Sequence, residues 1–480
     1  MSNDRRATNN PEDTRNFVLG THIYQRESVR AQVDLGTWQE PSRAIPIFDR
    51  CDVLVVGGGP SGTAAAVAAA RAGAQVVMLE RYNHLGGLST GGLVLWIDRM
   101  TDWSGKLVIC GLAEEIFRRL PAAAVAGPPR NLWGSRDPAL QQYWFNRASA
   151  FHGVVTWAPT IDPEHLKLLS QDMVLESGVK LVYHSLASFP IVEGGAVTGV
   201  VFDSKQGRMA IQAKVVVDAT GDGDVFARAG GAFVDDIEVG NIHHCVNTAW
   251  LFGGVDMEAW LDFKANRPDA YEEFLRLGRE EVGMFERPHV SWRNDIALFM
   301  GPRQSGFSAI DVLDMTEVEI RSRRAMTAHL AYYQKNAPGF RDAYMIYSAP
   351  QLGVRHSRRL KGMSTITRAQ WKSDAPLADE VAVSPSLSPN FPSLSIPYGS
   401  LVPASLNGLL ACGRHIACDP GSHSIVREIP QCWQTGQAAG VAAAIAARRG
   451  LQPRDVDVSE LQESLVSQGV YLRQGVMAET

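Results

Sequence analysis

Cysteine is scarce in this sequence, six in 480 residues, and no two of them form C-x-x-C. That excludes a disulfide scaffold, a zinc ribbon and a dithiol redox centre. No histidines fall at H-x-H or H-x-x-x-H spacing beside acids, so no metal site is expected. No apolar run approaches the roughly 18 residues of a bilayer span. The start, Met1-Ser2-Asn3-Asp4-Arg5-Arg6, lacks the apolar stretch of a signal peptide. Basic residues number 46 against 51 acidic ones, a net charge of −5, whereas nucleic-acid surfaces are basic. The rest is ordinary for a globular chain, 45% hydrophobic and 20% charged, and the length allows two or three domains. These absences leave a cytoplasmic enzyme with a small-molecule substrate as the expectation, with self-association open.

What is present is the stretch Asp52-Val53-Leu54-Val55-Val56-Gly57-Gly58-Gly59-Pro60-Ser61-Gly62. Val53 to Val56 are four apolar residues in a row, the pattern of a parallel strand buried on both faces. Gly57, Gly59 and Gly62 follow at G-x-G-x-x-G spacing. The first permits a sharp turn, the second lets a pyrophosphate approach the backbone, and the third lets the next helix pack closely. That helix is predicted over Thr63 to Ala72, nearly all alanine, with its free N–H groups aimed at the phosphates. Gln75 to Leu79 is predicted as a second strand ending at Glu80, whose carboxylate can accept from ribose hydroxyls. Strand, turn, helix, strand and acid in this order mark a dinucleotide site. Within Arg81 to Gly92, the seven residues from Gly86 supply four glycines and two hydroxyls, a loop suited to a second phosphate contact. A nicotinamide needs no such loop, whereas an extended FAD uses one. His84 within it is read as near the flavin or as a solvated, loop-capping residue.

The remaining chain is read for organisation. Residues 1 to about 16 are polar and expected to be disordered. The segment 17–48, with Tyr24, Trp38, Ile45 and Ile47, is expected to dock on the body as an arm. Residues 96–157 look like an insertion over the site, with a short helix over Gly111 to Leu120. A helix over Asp162 to Ser177 buries Leu166, Leu169, Met173 and Val174, ends at Gly178, and leads to a strand at Lys180 to Tyr183. Ala196 to Asp203 and Met209 to Ala213 are predicted antiparallel strands. Val215 to Asp218 is predicted as a further buried strand running into Ala219-Thr220-Gly221-Asp222-Gly223-Asp224. A strand-rich segment starting at His243-His244 puts those two rings on opposite faces. Helices are predicted within Glu258 to Glu281, broken at Arg267-Pro268, and over Thr316 to Tyr333, and a strand over Ala343 to Tyr347. Alternation over Leu352 to Leu360 sends Arg355, Ser357 and Arg359 to one face and His356 and Arg358 to the other. Ser384 to Ser400 reads as a loop and Leu409 to Arg414 as the last buried strand. Pro430 opens a long helix to about Arg449. In it Gly436 and Gly440 suit either helix packing or the approach of a ring. Val456 to Tyr471 holds one more amphipathic helix.

Seven stretches in order carry a resemblance. They are Asp52 to Gly62, Glu80-Arg81 with Leu85-Gly86-Gly87, Asp218 to Asp224, and Leu352 to Arg355 with Ser357-Arg358-Arg359. Ile396-Pro397-Tyr398, Cys412-Gly413-Arg414 and Gly436 to Gly440 complete the set. Together they resemble the FAD-dependent oxidoreductase family with a glutathione-reductase-like flavin fold, in the branch related to fumarate reductase and ketosteroid dehydrogenase flavoproteins. The likeness covers about residues 45–475. It implies an α/β chain whose Rossmann-type FAD-binding domain carries an inserted α+β substrate domain. The divisions would be an N-terminal arm over 1–47, a first FAD-binding part over 48–235 with an insertion at about 97–157, a substrate cap over 236–395, and a second FAD-binding part over 396–480. The resemblance implies non-covalent FAD held by Gly57, Gly59, Pro60, Ser61, Gly62, Glu80, Arg81, Gly86, Gly87, Leu88, Ser89, Thr220, Gly221, Asp222, Gly413, Arg414, Gln431, Gly436 and Ala439. It also implies that the helix from Pro430 aims its N-terminus at the flavin N1–C2=O edge, where reduction builds negative charge. Unlike the disulfide reductases, the chain has no second glycine motif and no redox cysteine pair. Oxygen, a carrier or a second substrate is therefore expected to reoxidise the flavin.

The activity so implied is hydride transfer between a small organic substrate and flavin N5, in a dehydrogenase or reductase. That chemistry calls for a cation to fix or polarise the substrate and a group to carry its proton. Arg427 and then Arg355 are the candidate cations. His244, His415, His423 and Tyr398 are the candidate proton carriers. Two other readings stand beside it: a flavin-dependent hydroxylase, whose later flavin motif usually sits mid-chain rather than at 413–440, and a non-catalytic flavin-binding subunit.

Overall fold

A computed structural model describes residues 22–31 and 33–473; the expected disorder of 1–16 lies outside the described residues. The apolar run after Ile47 forms β1 (Ile47–Val56), buried from Val53 onward. Its turn leads into α1 (Pro60–Arg71), which begins three residues earlier than predicted because Pro60, with its fixed φ, starts the first turn. β2 (Val76–Leu79) is buried along its whole length. α2 (Pro163–Glu176) is capped by Asp162, whose carboxylate accepts from the N–H groups of Glu164 and His165. Gly178, at φ +78°, ends it where the chain must take a left-handed conformation. β3 (Lys180–Val182) then adds to β2.

β4 (Leu186–Glu193), β5 (Ala196–Ser204) and β6 (Gly207–Asp218) form an antiparallel meander. β6 is one continuous strand rather than the two predicted. Its first half pairs with β5, and its length from Ala210 runs parallel to β1. Lys214, which reads as an interruption, points outward and pairs with Asp52 at 2.8 Å.

The middle of the chain builds a separate, aromatic-rich core. β7 (Trp250–Gly253), α3 (Met257–Asn266), α4 (Pro268–Val282), β8 (His289–Val290), β9 (Ile296–Phe299), α5 (Val312–Asn336) and β10 (Tyr344–Ser348) surround Trp250, Trp260, Phe274, Phe299, Tyr333 and Phe340. A second small sheet joins Ile23–Gln25, Arg303–Ser305, Val246–Asn247 and Gly353–Val354. Ile23–Gln25 docks the arm, but further along it Leu35 and Trp38 are 93% and 90% exposed, so Trp38 does not dock. His243 and His244 lie in a 3-10 turn (Ile242–His244), not on a strand. The alternation expected over 352–360 also fails. Only Gly353–Val354 and Arg359–Leu360 are strands, and Ser357 and Arg358 both reach Asp222. Ser384 to Ser400 is not a plain loop: Glu380–Ser384 and Leu394–Pro397 pair as an antiparallel hairpin.

The chain then re-enters the first sheet, where β11 (Leu409–Ala411) runs parallel to the end of β6. α6 (Pro420–Val426), which the sequence reading missed, precedes α7 (Ile429–Arg449) and α8 (Val458–Ser467). Pro430 is the second residue of α7, not the first. A Cβ on Gly436 would collide with the Ser61 carbonyl, and one on Gly440 with that of Ala65. The two glycines therefore let α7 press directly on the alanine face of α1, which decides for helix packing. Gly440→Val should destabilise the chain by about 1–3 kcal/mol, because backbone cannot move aside for the added bulk. Urea denaturation would show this as a lowered midpoint at unchanged slope. Among the described residues no helix is long and apolar enough to cross a membrane.

Candidate functional site

The site is built on the turn between β1 and α1. Gly57 has φ +102° and lies so near Ala219 that a Cβ would come within 2.6 Å of its carbonyl oxygen. A Cβ on Gly62 would strike the Gly57 carbonyl. Gly59 differs. At φ −68° and ψ −175° it is in ordinary extended backbone, and a Cβ there would meet nothing within 4 Å. It is the N-cap of α1 and offers no side-chain cap, so the first N–H groups of the helix remain for an anion.

The second glycine loop closes on this turn. Gly86 N–H donates to the Gly58 carbonyl at 2.8 Å, and a Cβ on Gly87 (φ +49°) would lie 2.8 Å from the Gly59 Cα. Ser89 and Thr90 spend their hydroxyls inside the loop, on the carbonyls of Gly86 and Leu85. Glu80 accepts from the backbone N–H of Gly58 at 2.5 Å and of Tyr82 at 2.7 Å. Burial pushes its carboxyl up, and those two N–H groups pull it back. His84 is a buried loop residue, not a solvated one: Nδ1 pairs with Asn83 and Nε2 with Gln351, and burial lowers its pKa to about 4.

Two remote segments complete the cradle. Gly413, at φ +97°, sits with its Cα against Ser61, and its N–H donates to Thr435 Oγ1 at 3.1 Å. Arg414 reaches Asp222 at 2.6 Å, folded against Gly221. Asp222 also accepts from Ser357 Oγ at 2.6 Å. Burial alone would raise its carboxyl; Arg414, Ser357 and Arg81 more than offset that and hold it below the usual range. Thr220 Oγ1 donates to Asp218 Oδ1 at 2.7 Å and accepts from the Asp224 N–H, fixing the turn. The structure thus brings together the segments holding Gly57 to Gly62, Glu80-Arg81, Gly86 to Ser89, Thr220 to Asp222, and Gly413-Arg414. Gln431 stands near the start of α7, donating to Ser384 Oγ while its buried Oε1 has no partner. Gly436 faces α1, and Ala439 is fully buried in the same helix.

The catalytic candidates separate. Tyr398 donates its hydroxyl to the Pro453 carbonyl at 2.6 Å, and burial raises its pKa strongly, so it is a packing residue. His415 and His423 hold the carbonyls of Asp218 and Arg414 through Nε2, each at 3.1 Å. His244 accepts from the Glu238 N–H through Nδ1 and stacks on His356 at 4.2 Å. Burial lowers the pKa of His244 and, far more, that of His423. Arg427 is different: it pairs with Glu428 at 2.9 Å, immediately before α7. Glu428 is largely enclosed by protein, yet 21% of its side chain remains accessible. Burial and Asp98 push its carboxyl up against the pull of Arg427 and Arg355. Arg355 lies within electrostatic reach of Arg427 and Glu428, and His289 within reach of Arg355. Sequence reasoning missed Glu428, Arg303 and His289. For Glu428 a signal existed, an acid beside Arg427 at a helix start; His289 and Arg303 carried none.

A dinucleotide-binding α/β protein is the class that this turn and sheet define. The chain belongs to the FAD dependent oxidoreductase family, whose model matches residues 52–386 and 387–465. Among curated proteins it is 30% identical over 182 residues to digeranylgeranylglycerophospholipid reductase 2 of Methanothermobacter thermautotrophicus, covering 38% of this chain and 42% of that protein. It is 29% identical over 191 residues to thiamine thiazole synthase of Aeropyrum pernix, covering 37% and 57%. The chain thus spans about half the length of these relatives. Among solved structures, a geranylgeranyl bacteriochlorophyll reductase-like protein from Thermoplasma acidophilum aligns over 88% of this chain and 84% of its own, at 15% identity and a TM-score of 0.45. A p-nitrophenol 4-monooxygenase from Pseudomonas putida DLL-E4 aligns over 87% and 84%, at 12% and 0.43.

FAD is the family's cofactor, and the residues present fit it. Open space over Gly59, uncapped N–H groups at the start of α1 and a glycine loop backed against them suit a pyrophosphate.

Proposed function

We propose that the protein transfers hydride between a small organic substrate and FAD, as a dehydrogenase or reductase. The finer fold assignment goes with it: a glutathione-reductase-like flavin domain over 48–235 and 396–480, a cap over 236–395 and an arm over 1–47, in the branch related to fumarate reductase and ketosteroid dehydrogenase flavoproteins. The pairing of β11 with β6 supports the discontinuous flavin domain. The cofactor contacts proposed are those of the converging glycine segments, with Arg81 beside Asp222.

One observation carries the catalytic reading: Arg427 and Glu428 are paired at the N-terminus of α7, with 10% and 21% of their side chains still accessible. Bound FAD supplies the hydride acceptor or donor at N5. Arg427 is the cation that orients the substrate, and the α7 N-terminus adds favourable potential for negative charge. Glu428, its carboxyl raised by burial, is the group that holds or releases the substrate's proton. The histidines are left as supports, since each uses a ring nitrogen on the backbone.

Anaerobic mixing with a metabolite library, followed by flavin absorbance, tests the reading. A substrate should bleach the flavin in the unmodified protein. Arg427→Ala should retain FAD and slow that bleaching by on the order of 100-fold. Unchanged reduction would remove Arg427 from the site, and stoichiometric oxygen insertion into product would replace hydride transfer by hydroxylation.

A further inference from the structure

The small sheet of the middle segment brings two arginines, Arg303 and Arg355, close together. Val246 is opposite both Gln304 and Val354. Arg303 adjoins Gln304 on one neighbouring strand, Arg355 directly follows Val354 on the other, and Cys245 directly precedes Val246 between them. Cys245 feels the guanidinium groups of Arg355, Arg303 and Arg427 together, which work against the upward push of burial on its thiol. His289 also lies near Arg303 and Arg355, and burial followed by these charges lowers its pKa to about 3, so it is neutral. Arg287 and Lys264 stand near His289 as well.

Arg303 pairs with Glu286 at 3.0 Å and Arg427 with Glu428 at 2.9 Å. Asp98, near Glu428, lies 3.9 Å from Arg99. Arg355 has neither hydrogen bond nor ion pair among the described residues. It is deeply enclosed, yet it retains accessible surface. Burial, then Arg427 and Arg303, hold its pKa below the ordinary value. A guanidinium so placed is costly to desolvate unless an anion meets it, and its planar fork matches a carboxylate.

We propose that Arg355, flanked by Arg303 and Arg427, is the anchor for a carboxylate on the substrate, so that the proposed oxidoreductase acts on an organic anion. This rests on the reading that the substrate meets the Arg427–Glu428 pair at the N-terminus of α7. Arg427, already matched by Glu428, is left to act at the reacting end, whereas Arg355 binds the head group.

The probe is benzoate against benzamide, at constant ionic strength on the FAD-loaded protein, read by thermal midpoint and by perturbation of the flavin spectrum. Benzoate should raise the midpoint and saturate the spectral change, while benzamide does neither. Arg355→Gln should weaken benzoate binding by at least about 30-fold, the cost of removing one partner of a buried charge pair, and Arg355→Lys should recover part of it. Equal responses to benzoate and benzamide, or undiminished benzoate binding by Arg355→Gln, would overturn the proposal. So would Arg355-dependent binding of inorganic phosphate without any of benzoate, or loss of FAD from a folded Arg355→Gln protein, which would assign the guanidinium to the cofactor. Should that variant not fold, the benzoate–benzamide contrast in the unmodified protein decides alone. If benzoate binds through Arg355 yet no organic acid reduces the flavin, the hydride-transfer reading fails and the anion site stands.

Discussion

Gly59→Val should strip FAD from the protein, weakening it on the order of 100-fold, about 2.7 kcal/mol, while leaving a folded chain. The two requirements separate because Gly59 is the turn glycine with room in front of it. Its backbone is in an extended conformation open to any residue, and the added atoms meet open space. That space is where a pyrophosphate must come to reach the N–H groups of α1. Loss of glycine at an N-cap costs the helix itself no more than about 1 kcal/mol. Gly62→Ala supplies the contrast. Its methyl group would strike the Gly57 carbonyl, so it should lower chain stability by about 1–3 kcal/mol as well as FAD content. Flavin-to-protein absorbance gives the first quantity and urea denaturation of the FAD-free protein the second. A Gly59→Val protein that keeps stoichiometric FAD would put the cofactor elsewhere.

The turn was legible because each of its demands is met within a few residues. Four apolar residues, three glycines and an alanine helix each state a local need, and the structure meets them where they stand. Legibility ends where a residue's role depends on a distant partner. Arg427 could be singled out as a cation by position, but Glu286, which neutralises Arg303, and the absence of an ion pair to Arg355 among the described residues are facts of tertiary packing. The histidines misled for the same reason. His415 and His423 look reactive in sequence, yet each is spent on a backbone carbonyl that only the fold delivers. Periodicity failed over 352–360, where side-chain hydrogen bonds to Asp222 and Asp236 take the place of a strand ladder. Composition failed at Ser384 to Ser400, since a serine-rich stretch can form a buried hairpin when its hydroxyls find acceptors. Ser384 Oγ donates to the Pro385 carbonyl at 3.2 Å, and Ser395 pairs with Glu380.

Asp222 is where the three segments of the chain are tied, and its loss should be felt by all of them. Its carboxylate accepts from Arg414 in the last segment and Ser357 in the middle one, and its own carbonyl takes Arg358. Asp222→Asn keeps the shape and removes the charge. Arg414 then loses the one acid it pairs with among the described residues, while Arg358 retains Asp224 at 3.2 Å. Breaking a buried pair costs about 3–5 kcal/mol. The lower end applies here, because the side chains of Arg414 and Asp222 remain 16% and 10% exposed. The pH dependence follows from the sign of the shift. A carboxyl held below its ordinary pKa contributes stability that is present above the unfolded value, about 3.9, and is lost as pH falls through the lower folded value. The gap between unmodified protein and Asp222→Asn in urea denaturation should therefore be flat from pH 8 to about 5 and narrow only below about 4. FAD content should fall as well, since Arg414, no longer held against Gly221, is free to move out of the cradle. A gap that widened toward acid pH would show that the carboxyl is raised rather than depressed, and would remove Asp222 as the charge that joins the segments.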